Sequence, residues 1–580
     1  MFVLSSLAVM IKHMNKRLFY FLFLLILFAA TILRLYKLGQ IPVSLYWDEV
    51  AMLVDAKSVA ATGMDMHSRA WYQLIYPSYG DYKLPVYIWF ASFFVKIFGV
   101  NGLSLRLVSS LAGLMTVLVS GLLAKKLALL SAVEPKKAQA LQLLTMAVVA
   151  VSPWSVMFSR TAFEGHLAQA LVGLSILCLF LKPKSWDYQI LSVLLGVLAT
   201  YTYFSVRFVW PVVYVAAQLV LLDLPDLQFW KNQQQLKSSV IWVVKQLLIP
   251  LVVFVILLLP MMRSDLYQAS NQFRLSAKSI LNAYDYPVLS NQYRQQAGNK
   301  FIDRFVFHRY LLMLRELAKN YSDHLSFNFL FVSGDANLRH GTGEDGLFPL
   351  LLILPFLAGW YSSFKSNWRV FSLLLIWWLI ALLPASVPET TPHALRSLNA
   401  LIPLAIIIGW GMLQISDLIF KKFAWEKKVT TLLSLIFLSS LPFIYHYFVV
   451  YPKVSAFDWQ DGYQQLAKEI LKDNSSVRTV WVDPFEDRFY LWLLAFGPYT
   501  AQEIQAMPKQ GWATKEIDNV VFQPFDWGKL ETLDHKLMVV GKTENLNFQL
   551  QTASLQPKWI KRITTSDGKT PFEILYFEPD

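Results

Sequence analysis

Long apolar segments dominate this sequence and leave little room for a water-soluble fold. A helix needs about 20 mostly apolar residues to cross the hydrocarbon core of a membrane. Only 16% of the 580 residues are charged, while 55% are hydrophobic. The chain is therefore predicted to be an α-helical polytopic membrane protein with about eleven transmembrane helices. The candidate spans are 18–38, 103–124, 139–155, 165–182, 188–206, 208–223, 241–261, 346–362, 369–387, 398–419 and 429–450.

Basic residues in the short loops predict the orientation of these spans. Loops on the cytoplasmic side carry an excess of Lys and Arg. With eleven spans, all the basic clusters fall on one side, which places residues 1–17 in the cytoplasm and the C-terminus outside a plasma or inner membrane. This distribution accounts for the net charge of +13 without nucleic acid as a partner. The clusters are Lys12/Lys16/Arg17, Lys125/Lys126/Lys136/Lys137, Lys182/Lys184, Lys231/Lys237, Lys365/Arg369 and Lys421/Lys422/Lys427/Lys428.

One apolar run, residues 84–99, is short for a span and rich in aromatic residues. Aromatic side chains concentrate at membrane interfaces, so this run is predicted to lie at, or re-enter, the outer interface. The alternative is a true short span. That alternative would move Lys125 and Lys126, and every later basic cluster, to the outside.

The remaining sequence divides into a membrane domain and a tail. The predicted membrane domain, 18–450, carries two large outer loops, 39–102 and 262–345. The tail, 451–580, alternates helical and β-like runs and is predicted to be a small extracytoplasmic α/β domain. The single cysteine, Cys178, excludes a disulfide within the chain.

The first outer loop contains two adjacent carboxylates, Asp48 and Glu49. Carboxylates beside an apolar wall are costly to keep ionised, and one of them can act as a general base on an acceptor hydroxyl. The alternative is an ordinary solvated turn. Lys83 opens the run 84–99, where an ammonium group can hold a lipid phosphate or simply anchor the chain at the interface.

Further charged residues lie near the predicted outer ends of the spans. Arg160 and Glu164 are four residues apart, so on a helix they would share a face. Arg207 lies among aromatic residues and can bind a phosphate with two donors. The alternatives are a structural ion pair for the first two and an interfacial anchor for the third.

Two outer loops combine His and Arg: one contains Arg339 and His340, the other His393 and Arg396. These residues can bind an anionic head group, or they can anchor polar loops at the interface. A metal held by His340 and His393 with Asp335 is conceivable, but no spacing here matches a known metal motif. No cofactor is therefore expected.

The sequence contains no Walker loop, no dinucleotide fingerprint and no nucleophile elbow. A reaction outside the cytoplasm without a nucleotide needs an activated group delivered in another form. A lipid-linked donor meets that need.

Several motifs together resemble one enzyme family. They are Trp47-Asp48-Glu49, the K-x-P-x-Y-x-W pattern at 83–89, the run FGVNGLSLRLVSSLAGLMTVL at 98–118, the segment SPWSVMFSRTAFEG at 152–165 and the loop HALRSL at 393–398. This pattern is similar to the GT-C superfamily, within it to the dolichyl-phosphate-mannose–protein mannosyltransferase-like group that includes bacterial aminoarabinose transferases. The resemblance is strongest over residues 1–210 and weak in the tail.

The resemblance implies an inverting glycosyltransferase that takes a sugar from a polyprenyl phosphate at the outer face. Asp48 would deprotonate the acceptor, Glu49 would orient it, and Lys83 would contact the donor phosphate. Arg160 and Glu164, and more loosely Arg207, Arg339, His340, His393 and Arg396, would bind donor phosphate or sugar. No metal is needed if Lys83 and the arginines neutralise the phosphate, although some oligosaccharyltransferases in the superfamily use one.

The acceptor stays open between a protein, a lipid and a glycan. Val50-Ala51 stands where aminoarabinose transferases have Pro-Arg, so the resemblance does not extend to their acceptor. Two other functions are alternatives: a lipid-linked-oligosaccharide transferase or ligase, and a transporter or flippase of polyprenyl lipids. A transporter predicts repeat symmetry and broken helices at the membrane midplane, which the sequence does not display.

Overall fold

The structure is a computed structural model that describes residues 14–78, 81–183, 185–222, 244–280, 284–473, 477–483, 488–509, 514–532, 534–551 and 556–579. Four of the basic residues used to predict orientation lie outside the described residues, as do the end of the predicted span 208–223 and the start of 241–261. Those four residues are Lys12, Lys184, Lys231 and Lys237.

Helices make up most of the described chain. In chain order they are α1 Lys16–Leu35, α2 Trp47–Thr62, α3 Pro85–Phe98, α4 Gly102–Leu130, α5 Pro135–Val151, α6 Pro153–Phe158, α7 Glu164–Leu181, α8 Trp186–Thr200, α9 Val206–Leu221, α10 Ile249–Met262, α11 Asp265–Lys278, α12 Tyr286–Ala297, α13 Asp303–Val306, α14 Arg309–Asp323, α15 Ile353–Ser366, α16 Trp368–Ser386, α17 Leu401–Ile419, α18 Trp425–Tyr445, α19 Tyr451–Val454, α20 Tyr463–Asp473, α21 Tyr490–Phe496, α22 Ala501–Ala506 and α23 Thr543–Leu550.

Within the described residues, seven helical segments are long and apolar enough to cross a membrane. Each coincides with a predicted span, and the chain is accordingly a multi-pass membrane protein. The segments are Lys16–Leu35, Gly102–Leu130, Glu164–Leu181, Val244–Met262, Trp368–Ser386, Leu398–Ile419 and Trp425–Val454.

The other four predicted spans correspond to shorter helices. Three of them are apolar helices: α8, α9 and the segment Leu350–Ser366. The fourth, 139–155, overlaps the 17-residue helix α5, which ends at Val151 because Pro153 begins a new short helix. The run predicted to be interfacial forms α3, which has 14 residues. At 1.5 Å per residue it extends about 21 Å, less than the roughly 30 Å hydrocarbon core.

The chain forms two compact units. The first comprises Met1–Tyr36, Ser109–Ser159 and Phe163–Ile444. In it, α5 packs against α1 and α17, and its side chains are buried from residue 140 to residue 151. Further close pairs are α15 with α17, α7 with α8, and α9 with α16. These contacts form the apolar core of the helical unit.

The second unit comprises Lys37–Val108, Arg160–Ala162 and Tyr445–Asp580. The first outer loop therefore groups with the tail, whereas the sequence places it in the membrane domain. Helix α2 packs against α3, α21 and α22. A short antiparallel hairpin joins β1, Tyr76–Ser78, to β2, Asp81–Lys83.

A six-stranded mixed sheet lies in the tail. Its strands are β3 Thr479–Val482, β4 Glu516–Ile517, β5 Val520–Phe522, β6 Leu537–Lys542, β7 Trp559–Ile563 and β8 Phe572–Phe577. Their order in the sheet is β4-β5-β3-β6-β8-β7. β3 runs parallel to β5 and β6, and the remaining pairs are antiparallel. Val539, Leu575 and Phe577 pack with Leu546 of α23 in an apolar cluster.

Candidate active site

The predicted carboxylate pair lies in the first turn of α2, in the second unit. Tyr46 is the N-cap residue, and its backbone N–H donates to Glu49 Oε2 over 3.2 Å, as in one half of a capping box. Unpaired N–H groups and the helix dipole favour negative charge at this end of a helix. The sequence Trp47-Asp48-Glu49 thus starts the helix and presents two adjacent carboxylates in different directions.

Glu49 is buried in a dense set of hydrogen bonds. Arg106, in the first turns of α4, donates from Nε to Oε1 over 3.0 Å and from Nη2 to Oε2 over 2.8 Å. The backbone N–H of Ala162 is a second donor to Oε1, at 2.6 Å. Arg106 also donates to the carbonyl oxygens of Pro42 and Ser44. Glu49 therefore holds three separate stretches of the chain together, and its side chain is not accessible to solvent.

Asp48 has a different environment. Its carboxylate forms an ion pair with Nζ of Lys83, at the end of β2, and 22% of its side chain is exposed. Asp81, also 22% exposed, lies 3.3 Å from the same ammonium group. The hairpin, in which Tyr76 pairs with Lys83, positions the lysine. This arrangement presents two partly exposed carboxylates beside one nearly buried cation.

Arg160 lies in the same unit but not on a helix. Residues 159–163 are non-helical and α7 begins at Glu164, so the helix on which Arg160 and Glu164 would share a face is not formed. The Arg160 guanidinium donates to the carbonyl oxygen of Ile41 over 3.1 Å and stacks on Tyr447 and Phe448. Burial lowers the pKa of Arg160.

The tail also contacts the start of α2. The backbone N–H of Trp47 donates to Oε1 of Gln460 over 2.9 Å. The Arg488 guanidinium lies over the Trp47 ring, 4.2 Å from its centroid. Residues far apart in the sequence therefore support the turn that carries Asp48.

The predicted His and Arg residues of the two other outer loops lie in the first unit. His340 and His393 stack with ring centroids 4.4 Å apart, and Nδ1 of His340 is 3.6 Å from Oδ2 of Asp335. Arg339 bonds to Asn337, while Arg396 directs its backbone N–H to His393. Burial, followed by the charges of His340 and Arg396, lowers the pKa of His393 well below its ordinary value.

Arg207 and Glu164 occupy other positions in the first unit. Arg207, in the first turn of α9, bonds to Tyr267 and Asn271 of α11 and stacks on Phe208. Glu164 is half-buried in the first turn of α7.

Three residues of the second-unit site were not singled out from the sequence. Arg106 could have been found, because it is the only charged residue between Lys96 and Lys125, and a charge inside an apolar helix usually has a partner. Asp81 and Gln460 carry no such signal, since their roles arise from the hairpin and from a contact across more than 400 residues.

Solved structures of other proteins share the fold of this chain. No family model matches the sequence, and no curated protein matches it either. The structure resembles ArnT from Cupriavidus metallidurans in the apo state, with a TM-score of 0.51 and 12% identity over 97% of each chain. The same enzyme bound to undecaprenyl phosphate matches with a TM-score of 0.51 and 12% identity, over 96% of this chain and 97% of that one. The chain therefore shares its overall fold with ArnT.

Proposed function

We propose that this chain is an inverting glycosyltransferase that moves a sugar from a polyprenyl-phosphate donor to an acceptor at the outer face of the membrane. The observation that carries the proposal is the accessible Asp48 carboxylate paired with Lys83, beside a Glu49 fully occupied by Arg106. The shared fold with a transferase solved with undecaprenyl phosphate supports the donor class. The acceptor is a protein, a lipid or a glycan.

The two adjacent carboxylates have different roles in this proposal. Glu49 accepts hydrogen bonds from Arg106, Ala162 and Tyr46 and has no exposed surface, so it cannot take a proton from an acceptor. Asp48 is accessible and acts as the general base. Glu49 is a positioning residue that fixes the turn and thereby the direction of Asp48.

The reaction then follows from the charges. Asp48 removes the proton of an acceptor hydroxyl, and the oxygen attacks the anomeric carbon from the face opposite the phosphate. A new C–O bond forms while the anomeric C–O bond to phosphate breaks, which inverts the configuration. Lys83 meets the negative charge left on the polyprenyl phosphate, since a fixed cation stabilises charge that develops in the transition state.

Lys83 also links donor binding to the activity of the base. Its ammonium group contacts both Asp48 and Asp81, and a bound phosphate oxygen competes with them for it. A carboxylate that loses a nearby cation holds a proton more readily. Donor binding would therefore make Asp48 a stronger base when the acceptor arrives.

The remaining predicted residues supplement this centre. Arg160 is buried, so we propose that it contributes positive potential rather than direct contact. Arg339 and Arg396 are proposed to bind an anionic group of the substrate. Glu164 and Arg207 are proposed to contribute to binding of the donor phosphate or sugar. The N-terminus is proposed to be cytoplasmic and the tail with its sheet extracytoplasmic.

The test is transfer of radiolabelled sugar from a panel of undecaprenyl-phosphate sugars in right-side-out and inverted membrane vesicles. Label is followed into the protein, lipid and polysaccharide fractions. Asp48→Asn is compared with Asp81→Asn, a matched control because both carboxylates contact Lys83 and have the same exposure. We expect kcat to fall about 10²–10⁴-fold in the first variant, as for loss of a general base, and much less in the second.

Two outcomes would contradict the proposal. Equal transfer by wild type and Asp48→Asn would exclude Asp48 as the base. Movement of polyprenyl phosphate across the vesicle membrane, with transfer of none of the sugars, would favour a transporter.

A further inference from the structure

Two histidines and one aspartate of the first unit form a compact cluster. Asp335 and His340 belong to the segment before α15, and His393 lies in the loop between α16 and α17. One ligand atom from each residue lies within 4.8 Å of the others. Residues from two separate loops therefore direct potential metal ligands to one point.

Backbone hydrogen bonds hold the Asp335 carboxylate in place. Oδ1 accepts from the N–H of Asn337 over 2.9 Å, and Oδ2 accepts from the N–H of Ala394 over 2.8 Å. The second bond ties Asp335 to the loop that carries His393. Gly341 allows the chain to turn closely around Asp335, because a Cβ there would lie 2.4 Å from the Asp335 carbonyl oxygen.

A third histidine orients the loop of His393. Nδ1 of His324 donates to the carbonyl oxygen of Asn320 over 2.8 Å, which leaves Nε2 as an acceptor. The backbone N–H of His393 donates to that Nε2 over 3.0 Å. Partners of this kind preorganise the ligands of metal sites.

The cluster is largely shielded from water. Asp335 and His393 are 4% and 8% exposed. The rings of Phe158 and Phe163 pack against His340. An apolar wall of this kind strengthens the interaction between a carboxylate and a cation, because it excludes solvent.

We propose that Asp335, His340 and His393 bind one divalent transition-metal ion, with Zn²⁺ as the best fit. Two imidazoles and one carboxylate are a usual zinc ligand set with an open fourth position, whereas Ca²⁺ and Mg²⁺ prefer oxygen ligands alone. Metal–ligand distances of about 2.0–2.1 Å place tetrahedral ligand atoms about 3.3 Å apart. In the structure the ligand atoms lie within 4.8 Å of one another, so each pair must approach by at most about 1.5 Å to bind the ion.

Nearby positive charge limits the affinity of this cluster for a metal ion. Arg339 and Arg396 both act on His393 electrostatically, and they oppose a bare cation. Their charges suit an anionic oxygen in the fourth position. The bound ion would join the two loops, and this role does not depend on the proposed transferase activity.

Direct metal binding by the purified full-length protein tests the proposal. The protein carries a tag without histidines, is passed over chelating resin, and is titrated with Zn²⁺ or Co²⁺. We expect about one ion per chain, a rise in Tm with Zn²⁺, and visible absorption from bound Co²⁺. Affinity should fall at least about tenfold in His340→Gln and in His393→Gln, which remove a first ligand.

The control is His535→Gln in the tail, which should bind the ion like wild type. Size-exclusion profiles identify variants that fail to fold, and the conservative Asp335→Asn provides a third ligand variant. Wild type without saturable Zn²⁺ and Co²⁺ binding would overturn the proposal, as would unchanged binding in the double variant of both histidines. Asp48→Asn should keep the metal, so failure of the metal site and failure of the transferase proposal are distinguishable.

Discussion

Asp48 and Glu49 are neighbours in one turn of helix, but each pairs with a different cation. Their different environments give them different roles. Glu49 and Arg106 are both fully buried, with two direct bonds between them. Burial of an ion pair costs desolvation energy, and removal of one partner leaves an uncompensated charge. Asp48, by contrast, is partly exposed and pairs with Lys83, which the hairpin brings to the first turn of α2. The first pair is suited to stability and the second to chemistry.

Glu49→Gln should therefore destabilise the protein much more than Asp48→Asn. Loss of one partner of a buried ion pair typically costs about 3–5 kcal/mol, whereas Asp48→Asn leaves Lys83 paired with Asp81. Thermal denaturation of the purified variants in detergent should show the larger drop in Tm for Glu49→Gln. The double variant Glu49→Gln/Arg106→Met should recover part of the lost Tm. Equal Tm values for the two single variants would contradict this assignment.

Asp55, on the buried side of α2, is predicted to make stability depend on pH. Its side chain is fully buried, Oδ1 accepts from Met66, and Oδ2 has no hydrogen-bond partner among the described residues. Burial, with the charge of Asp65 second, raises the pKa of Asp55 well above 3.8. The folded chain thus retains a proton that the unfolded chain releases. This stabilisation is complete below about pH 3.8 and is lost by about 1.4 kcal/mol per pH unit from there up to the raised pKa of the folded state.

Asp55→Asn, which is neutral at every pH, should have a Tm that exceeds that of wild type by a margin that grows from pH 5 to pH 8. The readout is the difference between variant and wild type, because other groups titrate in both. Asp526→Asn removes an exposed carboxylate and should show no such trend. A constant difference across the range would exclude a proton held by Asp55.

The sequence identified the site residues that belong to short polar motifs better than the one inside an apolar run. Asp48, Glu49 and Lys83 belong to short motifs, and the structure brings them together with Arg160 in one unit. Arg106 was overlooked because it interrupts an apolar run that reads as a membrane span. The separate environments of Asp48 and Glu49 could not be predicted, because they depend on backbone donors from Ala162 and Tyr46.

At the scale of helices and strands, apolar length was the reliable signal. The predicted spans coincide with helices, and Pro153 and Pro85 mark helix starts. The predicted spans 139–155 and 165–182 leave a link between them, and residues 159–163 of that link are non-helical. Its exact bounds could not be predicted, since nothing in its composition excludes a helix through Arg160 and Glu164. Close helix packing was also invisible in the sequence, although small residues permit it.

Gly411 of α17 should be less tolerant of substitution than Gly409 of the same helix. A Cβ at Gly411 would lie 1.7 Å from the carbonyl oxygen of Pro355 in α15, a backbone atom. A Cβ at Gly409 would meet the side-chain ends of Thr145 and Leu141 at 2.8 and 2.9 Å. Gly411→Ala must separate two helices, and overpacking of this kind costs about 1–3 kcal/mol.

Tm measurements on Gly411→Ala and Gly409→Ala in detergent would compare the two positions. Alanine gains about 1 kcal/mol over glycine in a helix, so a net loss at Gly411 must come from the contact with α15. A larger loss at Gly409 would show that the two helices pack differently.

On the scale of the whole molecule, the sequence predicted the membrane character but not the grouping of the chain. The outer loop that carries Asp48 forms one unit with the tail. The Trp47–Gln460 hydrogen bond joins residues separated by 413 positions, and no local pattern encodes such a pairing. The membrane topology, in contrast, follows from charge bias and from the number of spans, and it can be tested directly.

Single cysteines would decide between eleven spans and the alternative in which α3 also crosses. Cys178 is the only cysteine of the chain, so Cys178→Ser supplies a background without thiols. Phe548→Cys in α23 and Phe423→Cys between α17 and α18 place thiols at exposed positions, 69% and 46% accessible. With eleven spans and a cytoplasmic N-terminus, a membrane-impermeant maleimide should label Phe548→Cys in spheroplasts, and Phe423→Cys only after lysis. A twelfth span through α3 would reverse both results, because every segment after it would change sides. That reversal would also place the tail on the side opposite to the one the proposed reaction requires.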